Sequence, residues 1–530
     1  MKDIIITADE SCVLNHQLSF LAGFLACVPR DRIPKLLRVY VEKKLFAQPE
    51  DYNGIAKLAT LPLRRIEGIL LKNGFDTQIC TPRTIEQFKA KVFAVSTMDP
   101  FGVGPASSAM TGLTDSKEPY NKYYFEKLIK RIRTSNPNAK IIVGGPGAWQ
   151  FEALPEEMKH LGIDCIVMGE LENIAKEVFN SALKNQLPKK FIGTQAEEIP
   201  LIRGPCYWGL TEISRGCDRM CQFCDPTMRK FRWFSYEQIA KEAEINTQSP
   251  DIDQITLLSE DVLRYGTKLG EWIPNEKLVK LIKMVNNIAK AKGKKVSFTH
   301  ASLAAAASAP KIIREISEEL ELGGKNLSAF QVGLETGSVK LIETYMRNKA
   351  KPWEPKDWWE VAEKGFSVLT ENNIIPCATL ILGLEKETED DVIKTIELVE
   401  HLHSYPSLIM PLFFVPLGIL KEKRAFDKSK LTEPQKDLLI ACGKHTSYWA
   451  RNFINWSGGL SSIDRFVLQV GSMIMLESLK ALKKETQAIT KLELVELFIK
   501  ETEKYAFDRT LEYPQKIMEG VNYGFSKISK

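Results

Sequence analysis

Cys217-Asp218-Arg219-Met220-Cys221-Gln222-Phe223-Cys224 packs three cysteines into one short run with the spacing C-x3-C-x2-C. The run follows the strand-like Thr211–Ser214 and the pair Arg215-Gly216. Three thiolates on one loop can ligate three irons of a four-iron cluster and leave the fourth open. Zinc is one alternative, but it usually takes four ligands, often from paired C-x2-C units. No second pair exists here, and the nearest other cysteine, Cys206, lies before the strand. Three idle buried thiols are the other alternative. Cys12, Cys27, Cys80, Cys165, Cys206, Cys377 and Cys442 are dispersed, which speaks against an auxiliary cluster, since that would need grouped thiolates.

Downstream of the cysteines, strand and helix patterns alternate. Thr211–Ser214, Gln254–Leu258, Val296–Thr299, Phe330–Leu334, Pro376–Gly383 and Leu408–Val415 read as strands. Tyr236–Glu244, Leu278–Ala291, Lys311–Glu319, Asp357–Glu371 and Glu389–His401 read as the helices between them. Such units predict a partial (β/α)6 barrel, with its chemistry at the C-terminal strand ends. His300 falls at one of those ends and is expected to line the centre. Upstream, Val92–Ser96, Ala139–Val143 and Cys165–Met168 alternate with helical text, which predicts an α/β, Rossmann-like doubly wound domain. The expected division is an N-terminal extension over 1–60, a doubly wound domain over 61–200, a barrel over 201–425 and a helical region over 426–530. The polar run Leu187–Pro200 reads as a linker.

A formal net charge of +5 over 530 residues, with only short scattered basic runs, gives no footprint for nucleic acid. No leader pattern precedes Lys2 and Asp3, and the apolar run Phe466–Leu476 is far shorter than the roughly 20 residues a membrane span needs. The expectation is a cytoplasmic protein with reduced thiols, in possible peripheral contact with a membrane.

With Phe223 as the aromatic residue, the cysteine loop resembles the C-x3-C-x-aromatic-C motif of the radical S-adenosylmethionine (SAM) superfamily. The resemblance implies a [4Fe–4S] cluster on Cys217, Cys221 and Cys224, whose open iron binds SAM. It implies reductive cleavage to methionine and a 5′-deoxyadenosyl radical, and a ferredoxin- or flavodoxin-type reducing partner. The family's Gly-Gly-Glu segment is represented by Leu258-Ser-Glu260, so Glu260, or Asp261 in its place, is expected at the SAM amino group. Gln331-Val-Gly-Leu-Glu335-Thr-Gly-Ser338 is similar to the fourth-strand motif whose glutamate reaches the SAM ribose. Gly383-Leu-Glu-Lys-Glu387-Thr388 is similar to the fifth-strand Gly-Leu-Pro-Gly-Glu-Thr.

Gly144-Gly145-Pro146-Gly147 together with Gly169-Glu170 resembles the cobalamin-binding domain that precedes many radical SAM barrels. Ser96, Thr97, Gly144, Gly145, Pro146, Gly169 and Glu170 are then expected to hold cobalamin. Met98 and Phe101 are expected beneath the cobalt, because no D-x-H-x-x-G motif offers a histidine. Proteins of this organisation are mostly methyltransferases. Ile5–Glu10, Leu21–Pro29 and Ser96–Pro105 look like a narrower archaeal set. That set includes ring synthases of tetraether (GDGT) membrane lipids and a methyltransferase acting on a protein glutamine. The apolar Phe466–Leu476 and the tryptophans Trp353, Trp358 and Trp359, read as membrane-interface anchors, favour lipid cyclisation as the expected function. C-methylation of a protein side chain or small molecule is the alternative. A non-catalytic cofactor sensor would have no need for an iron with an open site.

Overall fold

A computed structural model describes residues 2–13, 22–33, 53–112, 118–324 and 326–456, with positions 35, 38, 39, 42, 43 and 46 besides. The run Phe466–Leu476 lies outside the described residues. The chain divides into two compact units, Met1–Thr446 and Ser447–Lys530.

The N-terminal sheet is six-stranded and parallel, in the order β2-β1-β3-β4-β5-β6. Its strands are β1 (Lys2–Ala8), β2 (Thr77–Ile79), β3 (Ala90–Ser96), β4 (Lys140–Gly144), β5 (Cys165–Gly169) and β6 (Lys190–Gly193). Both faces are covered, so β1 carries three successive fully buried isoleucines, Ile4, Ile5 and Ile6, in place of an alternating pattern. Leu61–Lys72 is one covering helix, with Pro62 in its first turn and a stop at Asn73-Gly74, where Gly74 adopts a φ of 79°.

This topology corrects the expected N-terminal extension. β1 pairs with both β2 and β3, so residues 2–8 lie inside the sheet. The run expected as a linker holds the edge strand β6, paired with β5. Parallel partners are joined by long crossovers and not by tight turns, and a strand as short as β6 leaves little periodic trace.

The barrel strands are β7 (Leu210–Glu212), β8 (Ser214–Arg215), β9 (Arg232–Trp233), β10 (Gln254–Leu258), β11 (Lys295–Phe298), β12 (His300–Ala301), β13 (Ser328–Glu335), β14 (Ile374–Leu382) and β15 (Leu408–Phe413). β7, β10 and β11 form one parallel sheet, and β12 to β15 form another. Thr299 joins them: its N–H donates to Leu257 at 3.2 Å and its carbonyl accepts from Gln331 N–H at 2.8 Å. The result is an open half-barrel. β8 and β9 form a separate antiparallel hairpin, in which Arg215 pairs with Arg232.

Two of the three tryptophans, Trp358 and Trp359, are engaged inside the fold and not as interface anchors. Trp358 is fully buried and donates from Nε1 to the Thr336 carbonyl at 3.0 Å. Trp359 donates to the Gly337 carbonyl at 2.6 Å. Both fasten the turn that follows β13. Among the described residues, no helix is long and apolar enough to cross a membrane.

Candidate functional site

The cysteine loop is the connection of the β8–β9 hairpin. Gly216 opens it at a φ of 75°, and a Cβ there would meet the Arg229 and Lys230 carbonyls at 2.5 and 2.7 Å. Only glycine lets the returning chain come this close. Inside the loop, Cys217 N–H donates to Pro226 and Cys224 N–H to Cys221, at 3.2 and 3.1 Å. Thr227 Oγ donates to the Cys224 carbonyl at 2.7 Å. Gln222 pins the loop to the barrel, donating from N to Tyr345 at 2.9 Å and from Nε2 to Thr344 at 2.8 Å.

Two residues between the cysteines act as anchors. Asp218 pairs with the buried Arg264 and accepts from Gly270 N–H at 3.1 Å. Arg219 is buried and donates to the carbonyls of Asn348, Lys349 and Lys351 at 3.0–3.3 Å. It also reaches Asp261 at 3.3 Å and Ser302 Oγ at 2.6 Å. Arg219 therefore ties the loop at once to the segments that follow β10 and β12 and to the turn at 348–351.

Burial pushes the Cys217 thiol up to about 11 and raises Cys221 and Cys224 as well. Arg219 partly offsets this at Cys217 and Cys221, and Lys349 at Cys221 and Cys224. A metal that replaces the thiol protons would complete that compensation. Among the described residues no three His, Cys, Asp or Glu side chains converge on a position for one ion. A cluster in which each thiolate takes a different iron is compatible with that spread.

Around the loop, β13 ends in a register shift between Gly333 and Glu335, and Glu335 adopts a φ of 62°. A non-glycine residue in the left-handed region marks a turn under constraint. Its buried carboxylate accepts from Lys349 Nζ at 2.6 Å. Glu260 is exposed and near Cys224, which fits a place at the mouth of the site. Asp261 does not replace it: its oxygens accept from Arg219 and from Ser302 N–H, so it orients the anchor. Phe223 is half-buried. Gly383, at a φ of 87°, donates its N–H to Glu387 at 2.9 Å and lies against the Phe426 ring. His300 carries a buried Nδ1 with no partner among the described residues.

A cavity of about 460 Å3 opens between the C-terminal edge of the N-terminal sheet and the cysteine hairpin. Ser96, Gly144, Gly145, Pro146, Gly169 and Glu170 line it from one side, and Arg215, Asp225, Met228 and Arg229 from the other. The predicted cobalamin residues divide here. Phe101 is buried edge-on against Phe125 and Phe151 and belongs to the core. Thr97 is also buried and outside the lining, and Met98 is exposed but outside it. Part of the glycine pattern serves packing: a Cβ on Gly145 would meet the Thr97 carbonyl at 2.8 Å, and one on Gly147 the Met98 carbonyl at 2.6 Å. Glu170 lines the cavity, yet its carboxylate is occupied by Arg232, Arg215 and the Ala196 N–H.

Sequence reasoning passed over Arg219, Lys349, Arg215 and Arg232. The only signal for Arg219 was its place between two of the cysteines. Lys349 stands fourteen residues beyond Glu335 with no motif spacing to mark it.

Residues 211–399 match the family model of the Radical SAM superfamily. The chain is 22% identical to a tRNA-2-methylthio-N(6)-dimethylallyladenosine synthase of Syntrophomonas wolfei, over 52% of this chain and 59% of that protein. It is 22% identical to the threonylcarbamoyladenosine tRNA methylthiotransferase MtaB of Thermotoga maritima, over 65% of this chain and 78% of that one. It thus spans little more than half the length of several curated relatives it matches. The fold is similar to the radical SAM methyltransferase TsrM of Kitasatospora setae, solved with cobalamin and a [4Fe–4S] cluster bound. That likeness has a TM-score of 0.50 at 11% identity, covering 78% of this chain and 75% of that one.

Proposed function

From a radical SAM domain preceded by a doubly wound domain, we propose a cobalamin-dependent radical SAM C-methyltransferase acting on an unactivated carbon. One observation carries this reading: a single cavity is lined both by the glycine turns of the N-terminal sheet and by the residues just after Cys224. A cofactor seated on the glycine turns and a cluster on the cysteines would then face a common space.

Cys217, Cys221 and Cys224 would hold the cluster, with Glu260 and Glu335 toward SAM. Ser96, Gly144, Gly145, Pro146 and Gly169 would hold cobalamin. When bound, the cluster and SAM supply radical initiation and cobalamin supplies a methyl carrier. The chain's own residues position and enclose. Arg219 fixes the loop against the segments after β10 and β12 and the turn at 348–351, Lys349 holds Glu335 at the site, and His300, at the start of β12, offers a ring nitrogen with no partner among the described residues. A ferredoxin- or flavodoxin-type protein would deliver the electron.

Ring closure on tetraether lipid loses most of one of its two motivating features, because Trp358 and Trp359 hold the turn after β13; the other lies outside the described residues. Transfer to tRNA, the activity named for the relatives, is not favoured by a chain of net charge +5. The test is an anaerobic incubation of the cluster-loaded chain with hydroxocobalamin, SAM, a strong reductant and tetraether lipid. Cobalamin retained through gel filtration supports the reading, and a lipid gain of one methylene unit would identify the substrate as well. Loss of two hydrogens from the lipid would replace methylation with ring closure.

A further inference from the structure

The hairpin that carries the cysteines has an electrostatic problem at its stem. Arg215 and Arg232 stand directly opposite each other across an antiparallel pair. Like charges in that arrangement repel. Neither arginine is solvated enough to escape the other, with side chains 12% and 18% exposed.

The carboxylate that resolves the repulsion comes from the other domain. Glu170, at the end of β5, accepts from Arg232 Nη2 with both oxygens, at 2.8 and 2.6 Å, and lies 3.3 Å from Arg215 Nη1. Arg215 is completed by Glu172 at 2.7 Å and Glu212 at 2.6 Å. Glu170 cannot drift. Gly169 before it has a φ of 75° and packs against Gly193 with no room for a Cβ, and Ala196 N–H donates to its Oε2 at 2.8 Å. Burial alone would raise Glu170, but Arg232, Ala196 N–H and Arg215 hold it below the ordinary carboxylate value.

We propose that Glu170 is a positioning residue: a latch that closes on the Arg215–Arg232 pair and fixes the cysteine loop against the cavity of the N-terminal domain. The same turn lines the cavity and grips the stem, so one short segment sets the spacing between whatever the cavity holds and the cluster. Such spacing matters, since a misplacement of about 1 Å can cost on the order of a hundredfold in rate. The spacing role rests on the function proposed above; the latch itself does not.

The test uses the full cluster-loaded chain as parent, Glu170→Gln, Arg232→Met and Arg232→Lys. Hydrogen exchange of residues 216–231 is expected to quicken roughly tenfold or more in Glu170→Gln and Arg232→Met, while helix Glu276–Lys290 is unchanged. Pulsed EPR between the reduced cluster and added cob(II)alamin is expected to give one narrow distance in the parent. That distance should broaden in both variants and be restored in part by Arg232→Lys. Unaltered exchange in both variants would overturn the latch. Faster exchange with an unbroadened distance would overturn the spacing role. If the parent takes up no cobalamin, the reading of the cavity fails and the spacing role with it, while the exchange data still decide the latch.

Discussion

Lys349 Nζ and Glu335 Oε1 meet at 2.6 Å beside the cysteine loop, in a space that exists because residue 333 has no side chain. A Cβ on Gly333 would collide with both partners. The pair is buried, and Lys349 also faces Cys221, so it joins the end of β13 to the cysteine loop.

Gly333→Ala is therefore expected to cost about 1–3 kcal/mol by overpacking. Glu335→Gln, which strands a buried ammonium, is expected to cost about 3–5 kcal/mol. Denaturant unfolding of the two variants checks both the values and their order.

Arg219 is the second anchor. Replacing it with Met removes hydrogen bonds to three carbonyls, Asp261 and Ser302. The expected outcome is a folded chain that loses most of its iron after anaerobic reconstitution, destabilised by about 3–5 kcal/mol because Asp261 is left buried and unpaired. Arg219→Lys can keep the charge but not the fork of donors, so it should fall between parent and Met. Iron and sulfide analysis per chain checks this.

Glu387 gives a pH signature. Burial raises its carboxyl to about 7, against the opposing hydrogen bonds from Gln435 and Gly383 N–H. The folded value lies above the unfolded one, so the contribution is full below about 4.5 and is lost as pH rises through about 7. Glu387→Gln keeps an acceptor for both donors without the charge. It is expected to be more stable than the parent at pH 8 by on the order of 1–2 kcal/mol, with the difference shrinking toward pH 5. Thermal unfolding at both pH values tests it.

His445 works in the opposite direction. Burial lowers it to about 4, and its Nε2 lies 2.8 Å from Ser407 Oγ. With the folded value depressed, its contribution is present above about 6.5 and is lost as pH falls toward 4. His445→Gln should flatten the acid limb of the stability profile and leave the alkaline limb unmoved.

What the sequence revealed follows from which interactions are local. The loop carrying Cys217, Cys221 and Cys224 stood out because its spacing is local, and the barrel strands were legible because buried runs alternate with amphipathic helices. The glycines were legible as a turn but not in purpose: Gly145 and Gly147 let two loops touch. Phe101 and Trp358 were misread because the direction of an aromatic side chain depends on neighbours far away in sequence. Glu170 was found for its Gly-Glu pair and assigned to a cofactor, while its partners Arg215 and Arg232 lie more than forty residues on. β1 was misplaced because its sheet neighbours are set by topology.

In the function proposed above, Cys217, Cys221 and Cys224 together form one cluster site for SAM chemistry. The most direct measurement is iron and sulfide content of the anaerobically reconstituted chain, with release of 5′-deoxyadenosine from SAM under strong reductant. About four irons and four sulfides per chain, with cleavage abolished by alanine at any of the three cysteines, is the predicted result. A single zinc per chain, or a full cluster that leaves SAM intact, would contradict it.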